Sequence, residues 1–554
     1  MASLYASARP ITAHSKFKST MSNDVINPLW RHAHHTPTRI AVRCGKQALS
    51  YAELAASVET TAGYLRAQGL NPGQPLVVWA NKRIETVVVM LAAWVAGLVL
   101  VPLHPALRAG QLRSIFARAK AQGIVVDAPH AQALGCTQGN PNHWGYSPTP
   151  DGAFKPLPFD APTINTPISP LPEPPFSDLG PALAALMFTS GSTGQPKGVM
   201  VTHANLNAGA AAVSQYLGLT AVDELLAVLP LSFDYGLSQI TMALRVGAGI
   251  TLQDYLLPND LKKPLIHGGI TVLAGTPGLL IPLAQAGWLK DTPALRCITN
   301  SGGKLPITSV RALRAAKPAA QLFLMYGLTE AFRASVLDPA EVDTHPDSIG
   351  RAFSASVLGL VDDQGTLISE GVEGVGELVQ GGPLVTAGYF NDPAATAERY
   401  RRPPTGWPNR ADERVVFSGD QVRRDAAGRY YFLGRLDEQI KVQGFRISPE
   451  EIEQAALRYP GITEALAFGY APESCPLGTL SEPSEPCFVG LVVAPDTVNR
   501  DELKSWLRSQ LAPYQMPEQI LSLPELPRSN NGKLDRAASR IILINQTSAL
   551  QANP

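Results

Sequence analysis

The sequence predicts an α/β protein with a large N-terminal domain of mostly parallel sheets covered by helices, a small β subdomain, and a small α+β C-terminal domain. Three observations lead there. A chain of 554 residues exceeds what one hydrophobic core serves. Apolar stretches of strand length alternate with helical ones up to Ser354, the pattern of a parallel sheet with helices on both faces. From Ser354 to Gly434 short strands and Gly turns dominate, and from Gln439 onward strands and helices mix again.

Taken in order, a helix from Ile26 is followed by a hairpin around Gly45 (IAVRCGKQALSY) and a helix over Tyr51 to Gln68, stopped by Gly69. LVVWA reads as a strand. The apolar run Val87 to Val101 falls short of the roughly 18 to 20 residues a membrane span needs, and Gly97 divides it into a buried helix and a strand ending at Pro102. A helix over Gly110 to Gln122 and the strand GIVVD come next. Between Ser147 and Pro181 prolines arrive every few residues, too densely for helix or interior strand, so 147–181 reads as a surface excursion or link. A helix over His203 to Tyr216 leads to further strand-helix units at Ala248 to Leu252, Ile270 to Ala274, CITNSGGKLP and LFLMYGLTEA. Three of these end in small-residue turns, GTPG, SGGK and YGLTE, at the strand edge where open α/β sheets bind ligands. The C-terminal domain has strands at QIKVQG, EALAFGY and FVGLVV and helices over Glu450 to Tyr459 and Asp501 to Leu511. The boundaries read as 21–436 and 437–554. Residues 1–20 form either a disordered tail or sequence ahead of a true start at Met21.

Bulk composition narrows the partners. Basic and acidic residues balance at 46 each, so no electrostatic footprint for nucleic acid or anionic membrane is present. The cysteines, at 44, 136, 297, 475 and 487, are odd in number and lack metal spacing, as in reduced thiols of a cytoplasmic protein.

Chemistry concentrates in a few stretches. Thr189 to Gly198 reads TSGSTGQPKG after an apolar run: Thr189, Ser190, Ser192 and Thr193 with Gly191 and Gly194 form a backbone able to turn its N–H and O–H groups toward phosphate, and Lys197 adds a cation. A Walker loop would need Gly before this Lys and Ser or Thr after it, and here it lies between Pro196 and Gly198. YGLTE sets Tyr326 to stack on a purine, Thr329 to donate to phosphate and Glu330 to hold Mg²⁺. Gly302 and Gly303 in NSGGK allow a flat base to lie against the backbone. Asp420 in SGD suits two ribose hydroxyls. In PRSNNGKLDR an Asn-Gly turn presents Lys533 at its tip.

These stretches, in this order from Asn27 to Arg536, resemble the adenylate-forming superfamily of acyl-CoA synthetases, peptide-synthetase adenylation domains and luciferases. The combination LSFDYGLSQ, NSGGKLP and YGLTEAFR is most similar to AMP-forming acyl-CoA ligases associated with exosortase A systems. Ser418 departs mildly from the Thr usual there. The resemblance implies ATP and Mg²⁺ as cofactors, an acyl-adenylate intermediate, and CoA or the phosphopantetheine thiol of a separate acyl carrier protein as acceptor. It also implies that Arg435 contacts ribose or phosphate and that Asp437 is the hinge of a swinging C-terminal domain whose face carries Lys441 and Arg446. Lys533 would be the catalytic lysine that neutralises the substrate carboxylate and α-phosphate, with Thr329 and Glu330 as its catalytic partners.

The acid is less determined. Phe233, Asp234 and Tyr235 stand where amino-acid-activating relatives carry Phe-Asp and many acyl-CoA synthetases an aromatic-His pair, so Asp234 points to an amine-bearing substrate. Arg333 is either Asp234's partner or the reader of a second carboxylate. An amino acid, another small polar acid and a fatty acid all stay open. With no carrier motif after Arg536, a stand-alone acid-thiol ligase is expected; a luciferase-like oxygenase and a non-catalytic nucleotide-binding scaffold are the alternatives.

Overall fold

The computed structural model describes residues 25–133, 183–190, 196–305, 307–409, 414–436, 440–442, 445–447, 449–470, 488–527 and 534–551. Residues 1–20, the proline-rich 147–181, Gly191 to Gly194, Asp437 and Lys533 lie outside them, and so do the expectations that rest on those positions.

Branched and aliphatic runs with no polar face form the central strands. A nine-stranded sheet runs in the order Arg351–Ala352, Ser335–Leu337, Gln321–Tyr326, Cys297–Asn300, Val272–Gly275, Glu224–Ala227, Gly249–Leu252, Ile40–Cys44, Gln47–Ser50. Its interior is parallel, and antiparallel pairs close both edges. A second sheet, Gly123–Val126, Pro75–Trp79, Val99–Pro102, Leu183–Ser190, Pro196–Thr202, is parallel until its last pair, an antiparallel hairpin that carries the glycine- and serine-rich loop. The helix Ile84–Val95 is buried almost throughout, which accounts for the long apolar run in the sequence. Among the described residues no helix is long and apolar enough to cross a membrane.

The β subdomain is an antiparallel six-stranded sheet around Gly374–Gly381 and Val415–Arg424, with its own core of Val361, Val379, Trp407, Val415 and Phe417. The C-terminal part packs the helices Pro449–Leu457 and Arg500–Gln510 on the sheet Glu464–Tyr470, Phe488–Ala494, Gln519–Ser522. Its last helix, Arg536–Gln551, has no counterpart among the expected elements. The helix expected to run to Gln122 stops at Arg118, because Lys120 turns back at φ 49°.

Gly350 ties the two large parts of the N-terminal domain together. It pairs with Tyr430 of the β subdomain at φ 81°, where an added Cβ would lie 2.0 Å from the Val336 carbonyl carbon. Gly350→Ala is therefore expected to cost at least about 2 kcal/mol, combining backbone strain with overpacking. A melting temperature within a degree of wild type would contradict this.

Candidate active site

The three small-residue turns at the strand ends converge. Thr276, Ser301 to Lys304 and Tyr326 to Thr329 all line one cavity of about 640 Å³. Its walls also carry Asp234, Arg333 and Thr189.

One arm of the cavity has the character of a nucleoside cleft. The Tyr326 hydroxyl donates to Asp420, a fully buried carboxylate, and the Tyr326 ring lies 6.4 Å from that of Phe432. The Asp420 backbone N–H donates to Ser418 Oγ at 3.1 Å, and its backbone lies opposite that of Arg435 in the strand ladder. Gly302 adopts φ 80° with the Phe233 ring 3.3 Å from where a Cβ would be, so a side chain there would fill the cleft at a backbone angle that L residues avoid. Gly303 accepts from Asn300 Nδ2 at 3.0 Å.

Thr329 and Glu330 open a short 3-10 turn, and Thr329 lines the cavity. Glu330 is 5% exposed, and its Oε1 accepts from the Tyr389 hydroxyl at 2.7 Å. Burial and the Glu330 charge push the Tyr389 phenol well above its usual range, so it stays a donor. Lys197 Nζ sits 5.3 Å above the same ring, and Thr189 lies opposite Lys197 in the hairpin ladder. Among the described residues no group of three His, Cys, Asp or Glu forms a metal cage. The buried carboxylate of Glu330 fits Mg²⁺ that takes its other ligands from phosphate and water.

The second arm is polar. Asp234 opens the helix Asp234–Val246, 4.0 Å from Arg333 Nη1, with both side chains almost wholly buried. Arg333 lies 4.6 Å over the Tyr235 ring, and the Tyr235 hydroxyl bonds to Thr299. Tyr235 thus supports Arg333 from beneath, anchored by its hydroxyl.

Several cavity residues carry no local sequence signal. Lys82 donates to Val228 O at 2.8 Å and Leu229 O at 3.3 Å and pairs with Asp254 at 3.4 Å; burial lowers its pKa to about 8. His104 packs against Phe445 and Tyr514 of the C-terminal part, which stack on each other at 4.0 Å. Gln111 donates to Glu451 at 3.0 Å and Gln515 at 2.7 Å, and Gln515 donates to Glu451 at 2.7 Å. Only the fold could reveal this contact, because its members lie hundreds of residues apart.

The contact carries a pH dependence. Burial, helped by the Lys82 ammonium, depresses His104 from 6.5 to about 4, so docking favours neutral imidazole. That contribution is complete above pH 6.5 and is lost as pH falls from 6.5 toward about 4. Burial raises the Glu451 carboxyl despite its amide donors, which gives an opposing gain at the acid end. Small-angle scattering should show the wild-type radius of gyration growing as pH falls from about 6.5 toward 4, with no such growth in His104→Phe. Identical profiles would remove His104 from the contact's energetics.

Residues 29–390 match the profile of the AMP-binding enzymes and residues 451–533 that of their C-terminal domain. The chain is 30% identical over 525 residues to the L-proline–[L-prolyl-carrier protein] ligase of Pseudomonas fluorescens, spanning 91% of this chain and 96% of that one. It is 29% identical over 507 residues to tyrocidine synthase 3 of Brevibacillus parabrevis, where the match spans 91% of this chain but 7% of the synthase's length. Among solved structures, o-succinylbenzoate CoA synthetase from Bacillus subtilis superposes with a TM-score of 0.75 at 24% identity, over 92% of this chain and 97% of that one. The amide bond synthetase McbA from Marinactinospora thermotolerans gives a TM-score of 0.77 at 22% identity, over 94% and 99%. With the profile covering more than half of its length, the chain belongs to the AMP-binding enzyme family, the adenylate-forming ligases.

Proposed function

We propose that the protein is an acid-thiol ligase that activates a carboxylic acid with ATP and passes the acyl group to CoA or to the phosphopantetheine thiol of a carrier protein. The observation that carries this reading is one cavity lined by Gly302, Tyr326 and Thr329 together with the buried Asp234 and Arg333, with the Asp420 carboxylate held behind Tyr326 by its hydroxyl.

In the first half-reaction a carboxylate oxygen attacks the α-phosphorus, the bond to the bridging β oxygen breaks, and pyrophosphate leaves. In the second, a thiolate attacks the acyl carbon, AMP leaves with the anhydride oxygen, and the thiol proton passes to solvent. Mg²⁺, when bound at Glu330, would neutralise phosphate charge. The protein's own part is positional and electrostatic. Tyr326 and Asp420 would hold the nucleoside, Thr329, Lys197 and the 191–194 loop the phosphates, and Lys533 the charge that builds between acid and α-phosphate. Asp234, buried at the head of its helix, favours an amine-bearing acid, and hence an amino-acid ligase loading a carrier protein as the second reading.

The test is ATP–pyrophosphate exchange and AMP release with a panel of amino, dicarboxylic and fatty acids. AMP formation that depends on one acid supports the ligase. Release of ADP alone, or no AMP with any acid, would falsify it.

A further inference from the structure

Behind the cavity wall the chain holds a strained turn. Phe332 adopts φ 54° and ψ −70°, close to the γ-turn region that bulky residues avoid, and its ring is fixed in the core at 2% exposure. The turn folds back so closely on the preceding strand end that a Cβ at Gly327 would lie 2.5 Å from Phe332 O. Both of its ends are tied. Glu330 O accepts from Thr386 N–H at 3.0 Å and from Thr386 Oγ1 at 2.8 Å, and Ala334 N–H donates to Tyr326 O at 2.9 Å. Between these ties Gln380, from the strand Gly374–Gly381 of the β subdomain, gives Nε2 to Ala331 O at 3.2 Å and to Arg333 O at 2.6 Å, one carbonyl on each side of Phe332.

Gln380 is fully buried, and its Oε1 has no hydrogen-bond partner among the described residues. An unmet buried acceptor costs stability that an apolar side chain would not lose, so the donor end is what suits an amide to this place. With two carbonyls as neighbours, only the NH2 end can face them. A strained turn persists only where its surroundings hold it. Here the two sides of the turn differ in what else holds them. Glu330 keeps Thr386 at its backbone and Tyr389 at its carboxylate whether or not Gln380 is present. Arg333 lines the cavity, resting on the Tyr235 ring, with Nη2 3.3 Å from Ser238 Oγ and Nη1 donating to Phe332 O inside the turn itself. Loosening the turn therefore displaces Arg333 and leaves Glu330 in place.

We propose, resting on the ligase reading above, that Gln380 is a positioning residue: by clamping the strained Phe332 turn from behind, it sets where Arg333 stands on the wall that receives the acid. Gln380 itself touches neither substrate. It acts through two main-chain carbonyls, and its effect falls on the acid and not on ATP.

The experiment is pyrophosphate exchange by the full chain, using the acid that wild type activates fastest in the panel above, with the melting temperature checking the fold of each variant. Gln380→Met nearly keeps the length and volume of the side chain and removes the donor. Its KM for the acid should rise and its kcat/KM for the acid fall by at least about tenfold, since a misplacement of about 1 Å can cost about 100-fold. KM for ATP and the Mg²⁺ concentration that gives half the maximal rate should stay within about twofold, a split that general loss of structure does not produce. Gln380→His, which keeps one ring N–H to donate, should fall between wild type and Gln380→Met, and it carries the same test if Gln380→Met does not fold. Equal losses for acid, ATP and Mg²⁺ would reduce Gln380 to a structural role, and an unchanged acid KM in folded Gln380→Met would remove it from the site. Either result overturns this inference and leaves the ligase intact. No exchange by wild type with any acid brings down the ligase reading, and this inference with it.

Discussion

Lys533→Ala is expected to lower pyrophosphate exchange by about 10²- to 10³-fold while leaving the melting temperature unchanged, the penalty for losing one donor aimed at developing negative charge. The argument starts from its loop. Asp535 N–H donates to Pro527 O at 2.7 Å, a bond between residues on either side of the stretch that carries Lys533, and truncating that one side chain removes neither partner. An ammonium there acts only when phosphate and carboxylate approach each other, so its loss should appear in kcat more than in either KM. Given chemically made acyl-adenylate and thiol, the variant should still form thioester at near the wild-type rate, because charge between acid and α-phosphate no longer has to be overcome. Near-normal exchange by the variant would refute the role.

The second large effect belongs to Asp420. Asp420→Ala removes the acceptor of Tyr326 and the carboxylate proposed to bind two ribose hydroxyls; at about 1.5 to 3 kcal/mol for each bond to a charged group, KM for ATP should rise by at least about 100-fold. The KM for the acid should move little, since Asp234 and Arg333 are untouched. Tyr326→Phe separates the parts, because it keeps the ring and the carboxylate and loses one bond, and it should cost about tenfold. Equal losses for ATP and acid in Asp420→Ala would mean that the substitution disturbs the whole cleft.

The sequence was most readable where function depends on residues close together in the chain. YGLTE, NSGGK and SGD stand out in the sequence because each carries its polar groups on a single turn, and all three lie at the cavity or behind it. Pairing with Asp234 is one of the two readings that the sequence allows Arg333, since a buried carboxylate needs a cation, and the two side chains do lie 4.0 Å apart. Lys82, His104, Gln111 and Glu451 could not be read in this way. Each resembles an ordinary surface residue in its own segment, and only packing between distant strands and helices gives it a neighbour. Tyr235 stands beside Asp234 in the sequence, and the fold adds what the sequence could not show, a bond between its hydroxyl and Thr299. The helix Arg536–Gln551 escaped notice because its apolar residues cover the sheet face around Leu466, Phe468 and Val492, a surface that exists only once the strands have paired.

The Tyr389 phenol joins a lysine on one side to a carboxylate on the other, with Lys197 above its ring and Glu330 at its hydroxyl. A defect introduced at the end of the hairpin would therefore be felt at the acidic group through a single aromatic plane. Titrating divalent ion against Lys197 variants would then report on the coupling between them, and an apparent weakening of ion binding could originate in a residue that never touches the ion.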